Sequence, residues 1–263
     1  EETKDSGDGC KHASLPAKPG AKVGEPLVPP FLLAAEDIRI DNAAATTGVM
    51  APPQSIDLDN KCTCVADAGS SCIIPTAAID KKCDLDGGRD NVTGPLIAYA
   101  GQLLPLLRPT FLKERISKGY YSILVSINGW NGLENDDQVG VGVFMSAGSD
   151  ADDAGIRIQP GFKGSDVWTV EKGSIQETGQ PLEGTVCDGL LGCRPIAGDL
   201  NGYVSNGTLV ATFKEIPFAF GAEASRLSIP FKSAKLVAKL TKDGEIWRAT
   251  GELVGRWPAE GIL

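Results

Sequence analysis

The chain has a single histidine, His12, among its 263 residues. That scarcity removes most nucleophilic chemistry, because a Ser-His-Asp or Cys-His centre needs an imidazole. His12 moreover falls in a charged stretch broken by Pro and Gly, with little that could bury. No GxSxG, HExxH, phosphate loop or dinucleotide fingerprint occurs either. Positive charge is in deficit as well: 25 Lys and Arg stand against 34 Asp and Glu, for a net charge of -9. That balance argues against nucleic acid as a partner. Long apolar runs are missing, so no membrane-spanning helix is expected. No signal peptide is read, so the sequence is expected to begin either after processing or at a trimmed boundary.

What is present points to turns and strands. Hydrophobic residues make up 42% of the chain, enough for a sizeable core, and 32 Gly with 17 Pro favour many turns over long helices. Seven cysteines are too many to be incidental. Cys62, Cys64, Cys72 and Cys83 crowd into one stretch that ends in an acidic, glycine-rich turn. Zinc would be the rival use, but Cys-x-Cys is tighter than the usual knuckle spacing and His12 lies far upstream. Disulfides are therefore expected among these four, with their connectivity open among three patterns. Cys187 and Cys193 bracket Asp188–Gly192 and are expected to pair, which leaves Cys10 as a free or intermolecular thiol. Disulfides in turn imply an extracytoplasmic protein.

Three regions are expected along the chain. Residues 1–30 read as a flexible tether, and 31–118 as a disulfide-linked segment with a helical part. Residues 119–263 read as an antiparallel β-sandwich, jelly-roll-like. Leu32, Leu33, Ile38 and Ile40 suit a first short strand or a clasp on the main domain. Leu96, Tyr99, Ala100, Leu103, Leu106 and Leu107 recur at helical spacing, with Pro105 and Pro109 predicting a kink or a break. From Tyr120 the period becomes two: Tyr121, Ile123, Val125 and Ile127 share one side, as do Val139, Val141, Val143 and Met145. Lys242-Asp243-Gly244 suits a hairpin turn. Pro217 and Pro230 predict edge or interrupted strands. Eight or nine strands without βαβ alternation favour an antiparallel sandwich.

Two acidic sets are the candidate sites. Asp84, Asp86, Asp90 and Asn91 gather oxygen ligands around a glycine turn, as calcium requires. No glutamate closes an EF-hand loop, and Arg89 adds a positive charge. The competing reading is a turn whose aspartates cap backbone N–H groups. The second set, Glu134, Asn135, Asp136 and Asp137, adjoins Trp130 and Asn131. An aromatic ring for the apolar side of a pyranose, with carboxylates and amides for its hydroxyls, is what a sugar-binding face uses. Between Glu134 and Glu171 there are eight acids and two bases. Asp150, Asp152 and Asp153 among them could converge on the same rim. Acidic loops are otherwise simply solvated, and Trp168, Trp247 and Trp257 suit a core. Lys232, Lys235 and Lys239 read as protection of a strand edge or as a contact for anionic polymers.

The order CDLDGGRDN, apolar helix, ISKGYYSILVSINGWNGLENDDQVGVGVFMS, SDVWTV, GYVSNGTLVATF and GELVGRWP resembles a group of uncharacterised secreted or lipid-anchored proteins. Such proteins are found in myxobacteria and related predatory bacteria. The resemblance spans Cys62 to Trp257. It implies an envelope location, with a lipid anchor upstream of Glu1, and carries no activity onto any residue. The expected function is a non-enzymatic secreted or cell-surface protein that binds a polymer or protein partner in the bacterial envelope. The alternative is a carbohydrate-binding or glycan-hydrolysing β-sandwich, with calcium as a possible cofactor.

Overall fold

The computed structural model describes residues 14–20, 28–39, 56–59, 61, 88–90, 108–176, 194–220 and 227–258. The chain divides into two compact units, one of Glu1–Pro16 with Ile40–Leu103 and one of Ala17–Arg39 with Leu104–Leu263. The regular elements described all belong to the second unit. They are β1 (Phe31–Ala34), helix α1 (Pro109–Ser117), β2 (Ile123–Asn128), β3 (Asp136–Ser149), β4 (Trp168–Val170), β5 (Ala197–Ser205), β6 (Thr208–Phe220), β7 (Leu227–Asp243) and β8 (Ile246–Arg256). Helix α1 has Pro in its first turn, where a missing N–H costs nothing. It buries Leu112 and Ile116, four positions apart on one face. The predicted helical run at 96–107 lies outside the described residues.

The strands form one antiparallel sheet in the order β1-β2-β3-β5-β6-β7-β8, with β4 added to β3. Tight turns make it a meander. Asn206 and Gly207 both take positive φ, 49° and 71°, in the two-residue link from β5 to β6. Gly244, with φ 61°, opens the two-residue link from β7 to β8. Both turns match the twist of the strands they join.

The expected two-sheet, jelly-roll-like sandwich is overturned: the sheet curls into a nearly closed barrel. Its two end strands meet through side chains. Phe31 of β1 stacks on Trp247 of β8 with ring centroids 6.1 Å apart, and Glu36 lies 3.9 Å from Arg248. Alternating apolar residues mark one buried face of a strand. They do not say whether a second sheet or the same sheet, coiled, covers that face. Here the register slips between Asp136 and Val139, Val139 and Val141, and Lys232 and Lys235, and each bulge increases local coiling. Glycine permits the close approach this needs. A Cβ on Gly202 would lie 2.9 Å from Val139 O and 3.2 Å from Val210 O, so β5 fits between β3 and β6 only without a side chain there.

Register shows which residues look inward. Ile127 opposes Val141, Val204 opposes Leu209, Leu209 opposes Ala238 and Phe213 opposes Ala234, and all are buried. Opposed residues share a face, so these side chains fill the barrel. Each large one contributes about 1.5–3 kcal/mol. The outer face of β2 and β3 has a second, smaller cluster of Leu124, Phe144 and Ile175, with Ala34, Trp168 and Val170 packed against it.

Tyr121 enters the core just before β2, and its hydroxyl donates to Met145 Sδ at 3.5 Å. Burial pushes its phenol far above the usual range, and the nearby negative charge of Glu171 pushes the same way. An unfolded phenol ionises near pH 10. Above that pH the unfolded chain therefore binds fewer protons than the folded one, and stability falls as pH rises. We expect this group to cost about 1.4 kcal/mol per pH unit above pH 10. Tyr121→Phe should flatten that slope when urea midpoints are compared between pH 8 and pH 11.

Several expectations are corrected. The disulfides expected among Cys62, Cys64, Cys72 and Cys83 and between Cys187 and Cys193, with the spare thiol of Cys10, fall on residues outside those described. None of the described residues is a cysteine, and the described barrel is held as a hydrogen-bonded meander. A core containing Phe213, Ile216 and Leu209 is large enough to hold such a sheet without cross-links. Strand β7, which carries Lys235 and Lys239, is flanked by β6 and β8, so these lysines do not guard an edge. Pro217 and Pro230 oppose one another on β6 and β7. They lie beyond the reach of β5 and β8 among the described residues, on stretches of β6 and β7 that are paired on one side only. No helix among the described residues is long and apolar enough to cross a membrane.

Candidate functional site

The turn from β2 to β3 gathers five of the residues singled out in the sequence, and hydrogen bonding gives most of them a structural task. Gly129 and Gly132 take positive φ, 72° and 78°, so the chain folds back sharply on either side of Trp130 and Asn131. Trp130 is turned inward, 3% exposed, and its indole N–H donates to Leu133 O at 3.0 Å. Its ring packs edge-on against Trp247, 4.5 Å between centroids, and lies 6.2 Å from Phe31. Asn131 is fully buried. Its side-chain amide donates to Asn135 O at 3.0 Å, and its Oδ1 accepts from Leu133 N at 2.8 Å.

Asp136 is also buried and holds the turn from its other end. Its Oδ2 accepts from Asn131 N at 2.7 Å, and its Oδ1 from Gln138 N at 3.1 Å. Glu134 is exposed and Asp137 half-buried. Asp137 Oδ1 accepts no hydrogen bond from a described residue. The turn is tied to the next hairpin, where Gly207 N donates to Glu134 O at 2.8 Å and Asn206 N to Asn135 Oδ1 at 3.0 Å.

Trp130 therefore offers no free ring face to a pyranose, and Asn131 and Asp136 spend their polar atoms on the backbone. Asp136→Ala is expected to lower stability by about 1–3 kcal/mol, since two backbone N–H groups lose a charged acceptor and one of them is buried. Asp136→Asn, which keeps one acceptor oxygen, should fall between the two. Urea unfolding reads both values, and an alanine variant as stable as the parent would remove this account of the turn.

The acidic sets do not converge on one rim. Asp136 and Asp137 open β3 and Ser149 ends it, so the twelve residues 138–149 separate Glu134–Asp137 from Asp150–Asp153. At the strand rise that is roughly 40 Å of chain.

The other acidic site belongs to the first compact unit. Of Asp84, Asp86, Asp90 and Asn91, only Asp90 lies among the described residues. It is joined by two residues that the sequence reading passed over: Asp57, Asp59 and Asp90 each bring a carboxylate oxygen within 4.8 Å of the others. Backbone contacts hold the two segments together. Asp90 N donates to Ile56 O at 3.3 Å, and Leu58 N donates to Asp90 Oδ2 at 2.8 Å. The missed signal was the alternation Asp57-Leu58-Asp59, which repeats that of Asp84-Leu85-Asp86. Three carboxylates can contribute to a hard-cation shell, which takes six to eight oxygens in the case of calcium. Asp90 as acceptor for Leu58 N also joins the two segments with no ion. A cation held by this trio would raise the melting temperature in millimolar calcium relative to chelator, and Asp90→Ala would abolish that rise. With the hydrogen bond alone at work, Asp90→Ala is expected to cost about 1 kcal/mol in either medium.

No family model matches the chain, and no curated protein and no solved structure matches it either.

Proposed function

We propose that this chain is a non-enzymatic binding protein, secreted or held at a cell surface, that takes a protein or polymer partner on the outside of its barrel. One observation carries the reading: the distribution of apolar side chains. The inward face of the sheet is filled by residues such as Phe213, Ile127, Val139 and Leu209. Large apolar side chains are nevertheless left in solvent: Ile156, Ile158 and Val167 between β3 and β4, Ile196 just before β5 and Leu200 within it. Exposed aliphatic groups in company are a mark of interaction surfaces. A location outside the cytoplasm rests on the resemblance of Cys62–Trp257 to envelope proteins. A sugar-binding or glycan-hydrolysing role would need an exposed aromatic platform, and Trp130 is covered by Phe31 and Trp247.

The test is an array that presents peptides and soluble polysaccharides side by side, run with and without calcium, together with chromogenic glycosides in solution. We expect retention of one ligand class and no turnover. Turnover of a glycoside that disappears in Glu134→Gln or Asp137→Asn would make the protein a hydrolase and overturn the reading.

A further inference from the structure

Past Ser149 the chain of β3 continues through Asp150–Asp152 and has a neighbour on each side. On one side Ala151 bridges Arg157, Ile158 N donates to Asp150 O at 2.8 Å, and Asp152 N donates to Ile156 O at 2.9 Å. On the other, Asp150 N donates to Val167 O at 3.0 Å, next to the Ser149–Trp168 pair of β4. Residues directly opposite in antiparallel neighbours point to the same face. Ala151 and Arg157 therefore share one face, and the flanking Asp150, Asp152, Ile156 and Ile158 take the other, with Val167 beside Asp150 through its backbone carbonyl.

That face is the one in solvent. Ile156 is 64% exposed, Ile158 52% and Val167 58%, with Asp150 and Asp152 exposed between them. The reverse face carries Ala151, Arg157 and Trp168, all half-buried. Ordinary sheets put aliphatic residues on the covered side. Here they flank a central line of carboxylates on the open side. The face is also preformed: Asp152 Oδ1 accepts from Ala154 N at 3.0 Å and from Ile156 N at 2.8 Å, and Gly155 takes φ 77° to close the turn. Arg157 is committed elsewhere, its guanidinium donating to Ser149 O at 2.6 Å and to Ala147 O at 3.0 Å. Among the described residues no Lys or Arg pairs with Asp150 or Asp152.

We propose that this face is a docking site for an extended segment of a partner protein that bears a lysine or arginine between apolar residues. The proposal rests on the binding function above and names its partner chemistry. A Lys or Arg side chain has an alkyl stem and a cationic head. The stem matches Ile158 and Val167, the head reaches Asp150 and Asp152, and apolar neighbours cover Ile156. An anionic lipid surface or acidic polymer would meet carboxylates of its own sign.

The probes are short labelled peptides with Lys or Arg between valines, and matched peptides with Glu in the central position, titrated against the whole chain. Anionic vesicles and neutral polysaccharide are run beside them. We expect the cationic peptides to bind about tenfold or more tighter than the Glu peptides, and binding to weaken as salt rises. Asp150→Lys, Ile158→Ser and Val167→Ser should each lose about tenfold. The two serine variants should keep the parent melting temperature because their side chains are exposed, and Asp150→Lys, which gives up the exposed hydrogen bond from Ala151 N at 2.9 Å, should melt only slightly lower. Cationic peptides that bind these variants as well as the parent would overturn the docking face and leave the binding function standing. Retention of polysaccharide or vesicles and of no peptide would overturn the partner class. Binding to none of the probes would remove the binding function and this proposal together.

Discussion

Replacing Gly251 with alanine is expected to lower stability by about 3 kcal/mol, from the closeness of two backbones rather than from any strained dihedral. Gly251 of β8 opposes Ala238 of β7. A Cβ placed on it would fall 2.7 Å from Ala238 Cβ, with Val237 O and Ala238 Cα nearer still. Directly opposed Cβ atoms ordinarily stand about 4.5–5.5 Å apart. The two nearest obstacles are main-chain atoms, which cannot rotate away as a long side chain can. The strands would have to part, loosening the ladder and the inward packing of Ala238 and Leu240. Gly244→Ala supplies the contrast. Its Cβ would meet nothing within 4 Å, but φ there is 61°, so only the backbone conformation is penalised, by about 1 kcal/mol. Urea unfolding of both variants gives the comparison. Equal losses at the two positions would mean that the tight coiling of β7 on β8, and with it our explanation of how the sheet closes, is wrong.

That closure is the part of the fold least legible in the sequence. Period-two alternation from Ile123 to Ile127 and from Val139 to Met145 corresponds to β2 and β3, and the Lys242-Asp243-Gly244 signal falls at the β7–β8 hairpin. Such signals are local. They fix which side chains share a face and which neighbouring strands pair. Sandwich and barrel differ instead in what faces the buried side, which depends on small slips of register. The slip between Val139 and Val141 leaves no mark that distinguishes it from a regular strand. Glycines were visible at 140, 142, 202 and 251, yet GVGVF reads equally well as a flat strand or as a site of close approach.

The candidate sites were legible to the same local extent. The turn residues Trp130, Asn131 and Asp136 were singled out for their chemistry, but their role depends on partners far along the chain. Trp247 supplies the ring that covers Trp130, and nothing near Trp130 announces it. Asp90 was chosen for its neighbours Asp84 and Asp86. The described carboxylates beside it come from the Asp57–Asp59 segment, and Leu58 N, thirty-two positions from Asp90, donates to it. A one-dimensional cluster is visible by eye, whereas a cluster assembled across the fold is not. The Ile156–Val167 face escaped for another reason: its aliphatic residues alternate as a buried strand would, and only burial shows which side is open.

Trp130→Ala is expected to be the most damaging single truncation of the turn, at about 3–5 kcal/mol. β1 is paired to β2 and β8 to β7, with no ladder between β1 and β8 among the described residues. The two ends of the sheet are joined by side chains instead, and Trp130 stands where they meet, touching Phe31 of β1 and Trp247 of β8. Removing it takes away a large buried surface and one hydrogen bond, and it leaves Trp247 without its edge-on neighbour. Trp130→Phe separates these contributions, because it keeps an aromatic ring in the seam and loses the bond to Leu133 O; about 1–2 kcal/mol is expected from it. Trp130 and Trp247 should also couple. In a double-mutant cycle with Trp247→Ala the interaction energy should be about 0.5–1.5 kcal/mol, as for other aromatic pairs. A sugar platform behaves differently on every count. An exposed stacking ring can be cut to alanine with a change in stability below about 0.5 kcal/mol, and what it loses is retention on a glycan matrix. Unchanged urea midpoints with lost glycan retention would therefore return Trp130 to the surface and dissolve the seam.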